Sequence, residues 1–367
     1  MRIGNSGRAS VRGCAMLALA SAAALLLGAA PGIAQVATHV PPPVAGAAAV
    51  TVARIKVHAP SIVGNLEGES AERDVLVVLP PSYAADSHRR YPVLYALHGY
   101  SIGAEQWIGE IHVPQTIEGA FAKGAPEMIV VLPDSKTLHN GSMYSSSVTT
   151  GDFETFIARD LVAYVDAHYR TIPDRRSRGL AGHSMGGYGT ARIGMRHPEV
   201  FGAIYMMSPC CLSARDATQF DPKAGATLEA VRTREAAAAL PFLARAQFAS
   251  AAAWSPDPQN PPFYLDLPTR NGVVQPDVVA KWAANAPLAF LDQYVGNLRQ
   301  YRAIAIDVGD QDGLKGDATK LHEALDRYGI ANSFTVYPGT HTSDVAVRFQ
   351  DFVLPFFGKA LMTKATR

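Results

Sequence analysis

Residues 179–187 read G-L-A-G-H-S-M-G-G, with Ser184 near the centre. The stretch follows a short apolar run that predicts a strand, and it precedes a segment at 188–196 that predicts a helix. A strand-to-helix turn this tight leaves no room for side chains at Gly182 and Gly186. It would lift the serine hydroxyl above the carboxyl edge of a sheet, at a helix N-terminus that favours a developing negative charge. Ser184 is therefore a candidate nucleophile rather than an ordinary turn residue.

Short continuous apolar runs precede this turn at 92–97 and 128–132, and they are typical of strands that are buried on both faces in a parallel sheet. Beyond the turn, the segments at 303–308 and 333–337 also predict strands. Between residues 152 and 168 the apolar positions instead recur every three to four residues, which indicates an amphipathic helix. Strands that alternate with helices predict an α/β fold with one mixed, mostly parallel sheet covered by helices.

A serine nucleophile needs a histidine base, which in turn needs an orienting acid, and in this kind of fold the chain order is serine, acid, histidine. Only His322 and His341 come late enough in the chain. His322 lies on a predicted helix. His341 lies in a short loop after a predicted strand, where open α/β sheets place their active sites, so it is the predicted base. Asp310 and Asp312, which follow another strand, are both candidates for the acid.

Five stretches carry a family resemblance: P-V-L-Y-A-L-H-G-Y at 92–100, G-D-F-E-T-F-I-A-R-D-L at 151–161, G-H-S-M-G-G-Y-G at 182–189, D-V-G-D-Q-D-G at 307–313 and P-G-T-H-T at 338–342. In them the chain resembles the esterase D family of α/β-hydrolases. That family includes S-formylglutathione hydrolases, feruloyl esterases, enterochelin esterases and mycolyltransferases of the antigen 85 type. The resemblance covers most of residues 70–210 and 285–357.

The resemblance implies an α/β-hydrolase fold and a serine esterase that acts on a small-molecule or carbohydrate-linked carboxylic ester without a cofactor. In the family the acid falls three residues after the glycine that ends its strand, which favours Asp312 over Asp310. The oxyanion donors of the family correspond to the backbone N–H groups of Met185 and Tyr100. An acyltransferase that uses the same residues, a serine peptidase and a non-catalytic binding protein on the same fold are the alternatives, although the resemblance points away from the peptidase. The acyl and alcohol groups stay open.

The stretch at 212–287 departs from the family pattern, because it is longer than the shortest members need. An insertion at this point of the fold would lie over the active site and shape the substrate pocket. Trp107, Trp254 and Trp282 are candidate substrate-binding residues. For the two tryptophans of the insertion, packing in a small core of its own is an equal alternative.

The first residues have the composition of a signal peptide. Three arginines precede an apolar run, which ends in G-I-A before Gln35, a small-residue cleavage pattern. We therefore expect residues 1–34 to be removed on export, which leaves a secreted or periplasmic protein with no stable membrane insertion. An uncleaved membrane anchor is the alternative. A Pro/Ala linker at 35–50, expected to be disordered, then leads into a hydrolase core assigned to 51–211 and 288–360.

The composition excludes several other classes of protein. Of 367 residues, 48% are hydrophobic, so a disordered chain is not expected. Loss of the signal peptide removes three arginines and no acid from a formal charge of +1, and the resulting −2 argues against a nucleic-acid partner. No zinc motif occurs, and the D-Q-D-G fragment lacks the last carboxylate of a calcium loop, so no metal is expected.

Cys210 and Cys211 are expected to be buried thiols, with a strained vicinal disulfide as the alternative. The oligomeric state is open.

Overall fold

A computed structural model describes residues 37–364, so the predicted signal peptide and residues 35–36 lie outside the described residues. Eight strands form one sheet: β1 (Thr51–His58), β2 (Glu72–Leu79), β3 (Val93–Leu97), β4 (Ile129–Pro133), β5 (Arg178–His183), β6 (Ala203–Met207), β7 (Ala303–Gly309) and β8 (Ser333–Tyr337). Their spatial order is β1-β2-β4-β3-β5-β6-β7-β8. The six strands from β3 onward run parallel, and β2 is antiparallel to both of its neighbours. The mostly parallel sheet is as predicted, and the four predicted strands quoted above are confirmed to within one residue.

Helices cover both faces of this sheet. Those of at least seven residues are α1 (Ala104–Glu110), α2 (Gln115–Ala122), α3 (Leu161–His168), α4 (Met185–Arg196), α5 (Pro222–Glu229), α6 (Phe242–Trp254), α7 (Pro276–Ala283), α8 (Lys315–Arg327) and α9 (Leu354–Ala360). A π-helical segment, Phe156–Asp160, leads directly into α3, and another, Phe349–Val353, leads into α9. Within residues 37–364, no helix has the length and apolar character that are needed to cross a bilayer.

The inner strands are apolar throughout because both of their faces are covered. On β3, Val93 and Tyr95 enter one core cluster and Leu94 and Ala96 enter the other, as alternation along a strand requires. The first cluster includes residues of α3, α4, α6 and α8, and the second includes residues of α1, α2 and α9. Burial on both faces therefore explains the continuous apolar runs of the sequence. Because the six strands are parallel, their carboxyl ends lie at one edge of the sheet.

Residues 37–50 contain neither helix nor strand, yet they are held against the rest of the protein. The backbone N–H of Ala346 donates to Thr38 Oγ1 over 3.0 Å, and His39 Nδ1 lies 3.0 Å from Asp344 Oδ1. The expectation of disorder is therefore not met for these residues. The segment lies against the loop that follows β8, because its polar groups find partners there.

A buried ion pair ties β7 to the C-terminal helical region. Arg348 Nε lies 2.7 Å from Asp307 Oδ2, and the hydroxyl of Tyr205 donates to the same carboxylate oxygen over 2.7 Å. Both charged side chains are buried. Burial raises the pKa of Asp307, while the charge of Arg348 and the two hydrogen bonds oppose that rise.

Replacing Arg348 by Met should therefore lower the free energy of unfolding by about 3–5 kcal/mol at neutral pH, because it leaves a buried carboxylate without its counter-charge. Urea denaturation measures the loss. The control is Lys123→Met, which breaks an exposed pair with Asp351 and should cost at most about 1 kcal/mol. The Arg348→Met deficit should shrink as the pH falls, because protonated Asp307 needs no counter-charge. Equal losses in the two variants would contradict this account.

Candidate active site

Ser184 lies in the turn between β5 and α4, with φ of 58° and ψ of −113°. A φ in the left-handed region is strained for a residue that carries a Cβ, and such strain is typical of functional sites. A Cβ on Gly182 would collide with the carbonyl oxygen of Gly186, and a Cβ on Gly186 would collide with that of Leu97. The prediction that these two positions exclude side chains is therefore confirmed.

Ser184, His341 and Asp312 form one hydrogen-bonded chain at the carboxyl edge of the sheet. Ser184 Oγ lies 2.9 Å from His341 Nε2, and His341 Nδ1 lies 2.8 Å from Asp312 Oδ2. The three residues come from the loops after β5, β8 and β7. The structure thus brings together the predicted nucleophile, base and acid, in an arrangement that can pass a proton from the hydroxyl to the imidazole.

The environment of Asp312 keeps its carboxylate ionised. The side chain is buried, and its second oxygen accepts the backbone N–H of Leu314 over 2.8 Å. Burial raises the pKa of Asp312, but the hydrogen bond from His341, the charge of that imidazole and the Leu314 N–H outweigh burial, so the pKa lies below its ordinary value. An ionised Asp312 can stabilise an imidazolium at His341.

The competing candidates have other partners. Asp310 is exposed, and its Oδ1 accepts the backbone N–H of Gly339 over 3.0 Å. His322 lies on α8, where its Nδ1 is 2.8 Å from Asn332 Oδ1 and its ring stacks on Phe334. Asp310 thus supports the loop that leads to His341, and His322 belongs to the helix surface.

The two predicted oxyanion donors lie beside Ser184. Met185 is the first residue of α4, so its N–H has no partner inside the helix. A Cβ on Gly99 would lie 3.5 Å from the Ser184 Cβ, so the backbone that leads into Tyr100 passes close to the nucleophile. A Cβ on Gly141 would lie 2.6 Å from the Met185 Sδ and 2.7 Å from the Tyr100 Cδ2. The side chains of Met185 and Tyr100 therefore meet at this glycine.

The three predicted substrate-binding tryptophans are all buried. Trp107 packs against Phe349 in the core, with ring centroids 6.2 Å apart. Trp254 and Trp282 pack edge to face at 5.3 Å, and the Trp282 Nε1 donates to Ser255 Oγ over 2.9 Å. The cavity that both of them line measures about 30 Å³, which is room for one water molecule. Their role in substrate binding stays a prediction.

Cys210 and Cys211 follow β6 and lie against the turn that carries Ser184. Both are half-buried free thiols, with their sulfur atoms 2.9 Å apart. The backbone N–H of Cys210 donates to the carbonyl oxygen of Ser184 over 3.2 Å. This backbone bond supports the turn from the side of β6. The expectation that both cysteines are buried is not met, because each is half-buried.

An apolar surface that no sequence pattern predicts lies beside Tyr100. Phe242 is 49% exposed and Leu243 is 74% exposed at the start of α6. The Phe242 ring packs edge-on against Tyr100 with centroids 5.2 Å apart. We call Phe242 and Leu243 the apolar rim. No pattern in the neighbouring sequence distinguishes Phe242 and Leu243 from core positions of α6. Their position near the site follows only from the contact between Phe242 and Tyr100.

Comparison with known proteins places these observations in a family. A family model described as "Putative esterase" matches residues 69–350. An endo-1,4-beta-xylanase/feruloyl esterase of Xylanibacter ruminicola is 30% identical over 131 residues, which cover 34% of this chain and 18% of that protein. Esterase Rv1288 of Mycobacterium tuberculosis is 33% identical over 126 residues, which cover 34% of this chain and 26% of that protein. The chain thus spans about a quarter or less of the length of these relatives.

Solved structures share the fold over most of the chain. A ferulic acid esterase has a TM-score of 0.60 at 23% identity, and the match covers 85% of this chain and 99% of that one. An S-formylglutathione hydrolase from Staphylococcus aureus has a TM-score of 0.55 at 16% identity, with 85% and 99% covered. At these identities the likeness concerns the architecture, and the fold is that of the α/β-hydrolases.

Proposed function

The chain belongs to the family described as "Putative esterase", and from this premise we propose that it hydrolyses carboxylic esters through an acyl-serine intermediate. The observation that carries the proposal is the hydrogen-bonded chain from Asp312 through His341 to Ser184. A hydroxyl is a weak nucleophile by itself, and a neighbouring base held by an ionised acid is what activates it.

In the first half of the reaction, Ser184 Oγ attacks the ester carbonyl carbon while His341 Nε2 takes the hydroxyl proton. Asp312 stabilises the imidazolium that forms. The backbone N–H groups of Met185 and Tyr100 donate to the oxyanion of the tetrahedral intermediate. The C–O bond then breaks, and the alcohol leaves with the proton from His341.

In the second half, water replaces the alcohol. His341 removes a proton from the water as the oxygen attacks the acyl carbon, and it returns that proton to Ser184 Oγ when the carboxylic acid leaves. Each residue ends in its starting protonation state, so turnover consumes only ester and water.

For the substrate, we propose an ester with an aromatic acyl group of the feruloyl type. The apolar rim supports this, because Phe242 presents an exposed aromatic surface that packs directly against Tyr100. Exposed apolar side chains at the mouth of a site commonly contact ligands. The name of one relative, the endo-1,4-beta-xylanase/feruloyl esterase of Xylanibacter ruminicola, points to the same acyl class.

A hydrolysis panel tests this substrate class. It compares kcat/KM for p-nitrophenyl esters of rising acyl length with feruloylated and acetylated sugars. We expect the feruloyl esters to be preferred over acetyl esters. An added alcohol acceptor in the same assay, with product analysis, distinguishes hydrolysis from acyl transfer, since transfer would give a new ester instead of free acid. A chain-length optimum among aliphatic esters, with no feruloyl activity, would rule the aromatic class out.

Replacing Phe242 by Ala should lower kcat/KM for feruloyl esters by about ten- to a hundredfold relative to acetyl esters, because a lost aromatic contact is worth roughly 1–3 kcal/mol. Steady-state kinetics on both substrates measure the ratio. Val273→Ala, another exposed apolar position in the 212–287 insertion, is the matched control and should leave the ratio unchanged. An equal drop in kcat/KM for both esters would mean that Phe242 contributes to stability and not to selectivity.

We also propose that the protein is exported and that residues 1–34 are removed, on the strength of the arginine-rich start, the apolar run and the G-I-A ending. The mass of the protein recovered outside the cytoplasm should correspond to a chain that begins at Gln35. Recovery of the full-length chain in the membrane fraction would contradict export with cleavage.

A further inference from the structure

His183, the residue directly before the nucleophile, has no part in the proposed mechanism, yet its side chain lies inside the site. It is 3% exposed, and its Nε2 lies 2.9 Å from the backbone carbonyl oxygen of His341. A carbonyl oxygen only accepts hydrogen bonds, so Nε2 carries the hydrogen and His183 donates it. We propose that His183 is a positioning residue that fixes the backbone of His341, so that its imidazole stays aligned between Ser184 and Asp312. This inference rests on the proposed function.

The position of β8 explains why His341 needs such support. β8 is the last strand of the sheet, and it is separated from β5 by β6 and β7. The loop after an edge strand has a neighbouring strand on one side only. His183 and Ser184 are consecutive residues at the end of β5, and they contact the backbone oxygen and the Nε2 of His341 respectively. These two contacts from one rigid turn fix both the backbone and the ring.

The rings add a further restraint. The centroids of His183 and His341 lie 4.8 Å apart, with the ring planes tilted by 37°. An imidazole that packs beside another cannot rotate freely about its side-chain torsions. Asp312 and Ser184 determine where the two nitrogens of His341 point, and His183 restricts the swing of the whole residue.

His183 can do this without competing for the proton that is transferred. Burial, together with the charge of His341, lowers the pKa of His183 to about 3, although the bond to the His341 carbonyl and the charge of Asp312 oppose the change. His183 is therefore neutral throughout turnover at neutral pH. A single fixed tautomer, with the hydrogen on Nε2, serves both halves of the reaction.

The alternative is that His183 only fills space behind the turn. An apolar side chain would do that better, because the Nδ1 of His183 is buried and has no hydrogen-bond partner among residues 37–364. A buried acceptor without a partner costs stability. The group that distinguishes histidine from an apolar residue here is the Nε2–H, and that group is bonded to His341.

Two substitutions separate the roles. His183→Gln keeps an N–H donor at a similar reach, and His183→Phe keeps a ring but removes the donor. We expect His183→Phe to lower kcat by about ten- to a hundredfold with KM unchanged, as a small misplacement of a catalytic group does. His183→Gln should recover most of that loss. The rate of covalent labelling by a fluorophosphonate should follow kcat, because it depends on the same activation of Ser184.

The matched control is His168→Phe. The Nδ1 of His168 also lies 2.8 Å from a backbone carbonyl oxygen, that of Tyr164, but His168 is exposed at the end of α3. Its activity should equal that of the wild type. A melting temperature for each variant shows whether it folds, and His183→Leu replaces His183→Phe if the latter does not.

A wild-type kcat in His183→Phe, or in His183→Leu where that variant replaces it, would overturn the proposal. A His183→Gln variant with an equally low kcat would overturn it as well. These outcomes differ from failure of the proposed function. If Ser184→Ala is inactive while the donor-free His183 variant is fully active, only the positioning role is wrong. If Ser184→Ala keeps its activity, the proposed mechanism is wrong as well.

Discussion

Replacing Ser184 by Ala is expected to lower ester turnover about 10⁴-fold or more, as loss of a nucleophilic serine does in hydrolases with a serine–histidine–acid arrangement. The hydroxyl oxygen is the atom that bonds to the acyl carbon, and no other group takes its place. The backbone N–H groups of Met185 and Tyr100, which we propose as oxyanion donors, stay in position, so a small residual rate over water is expected. The measurement is kcat with p-nitrophenyl acetate or, if that ester is poor, the best ester of the panel.

The fold should survive this substitution, because alanine fits the turn. The left-handed φ of 58° is equally strained for serine and alanine, so the change neither adds nor relieves backbone strain. Ser87→Ala, at an exposed position before β3, is the control and should keep full activity. If the Ser184→Ala variant retained more than a tenth of the wild-type turnover with an unchanged melting temperature, Ser184 would have no place in the mechanism.

The parts of the fold that follow from local patterns were predictable. The strand at 93–97 is apolar and the strand at 333–337 alternates in polarity, so the consecutive residues of each strand are enough to predict it. The turn at 182–186 was predictable for a similar reason, since only glycine avoids the collisions there. The helix at 153–168 was predictable as one amphipathic run, but its π-helical segment, Phe156–Asp160, leaves the apolar pattern intact and so carried no signal.

Contacts between distant residues were much less predictable. His183 and His341 lie 158 positions apart, and Phe242 of the apolar rim contacts Tyr100, which is also distant in the sequence. Sequence periodicity reports that a side chain is buried, and it does not report which distant atom lies against it. For the same reason the disorder expected for residues 37–50 was wrong, because Thr38 and His39 find their partners in the loop after β8.

Replacing Asp312 by Asn is expected to lower kcat about 10⁴-fold, nearly as much as loss of the serine, whereas Asp310→Asn should cost less than about tenfold. Asp312 accepts the Nδ1 hydrogen of His341. An amide at this position can donate to Nδ1 instead, which holds the hydrogen on Nε2 and removes the lone pair that must accept the Ser184 proton. The amide also carries no charge to stabilise the imidazolium.

The side chain of Asp310 has a different role, which asparagine can also fill. Its Oδ1 accepts the backbone N–H of Gly339, and asparagine keeps an oxygen at that position, so the loop that leads to His341 should hold its shape. Because both variants remove one carboxylate from the same loop, each is the other's matched control, and kcat with the same ester measures both. Equal losses, or a larger loss in Asp310→Asn, would mean that His341 takes its orienting carboxylate from Asp310 during turnover, and the acid would have to be reassigned.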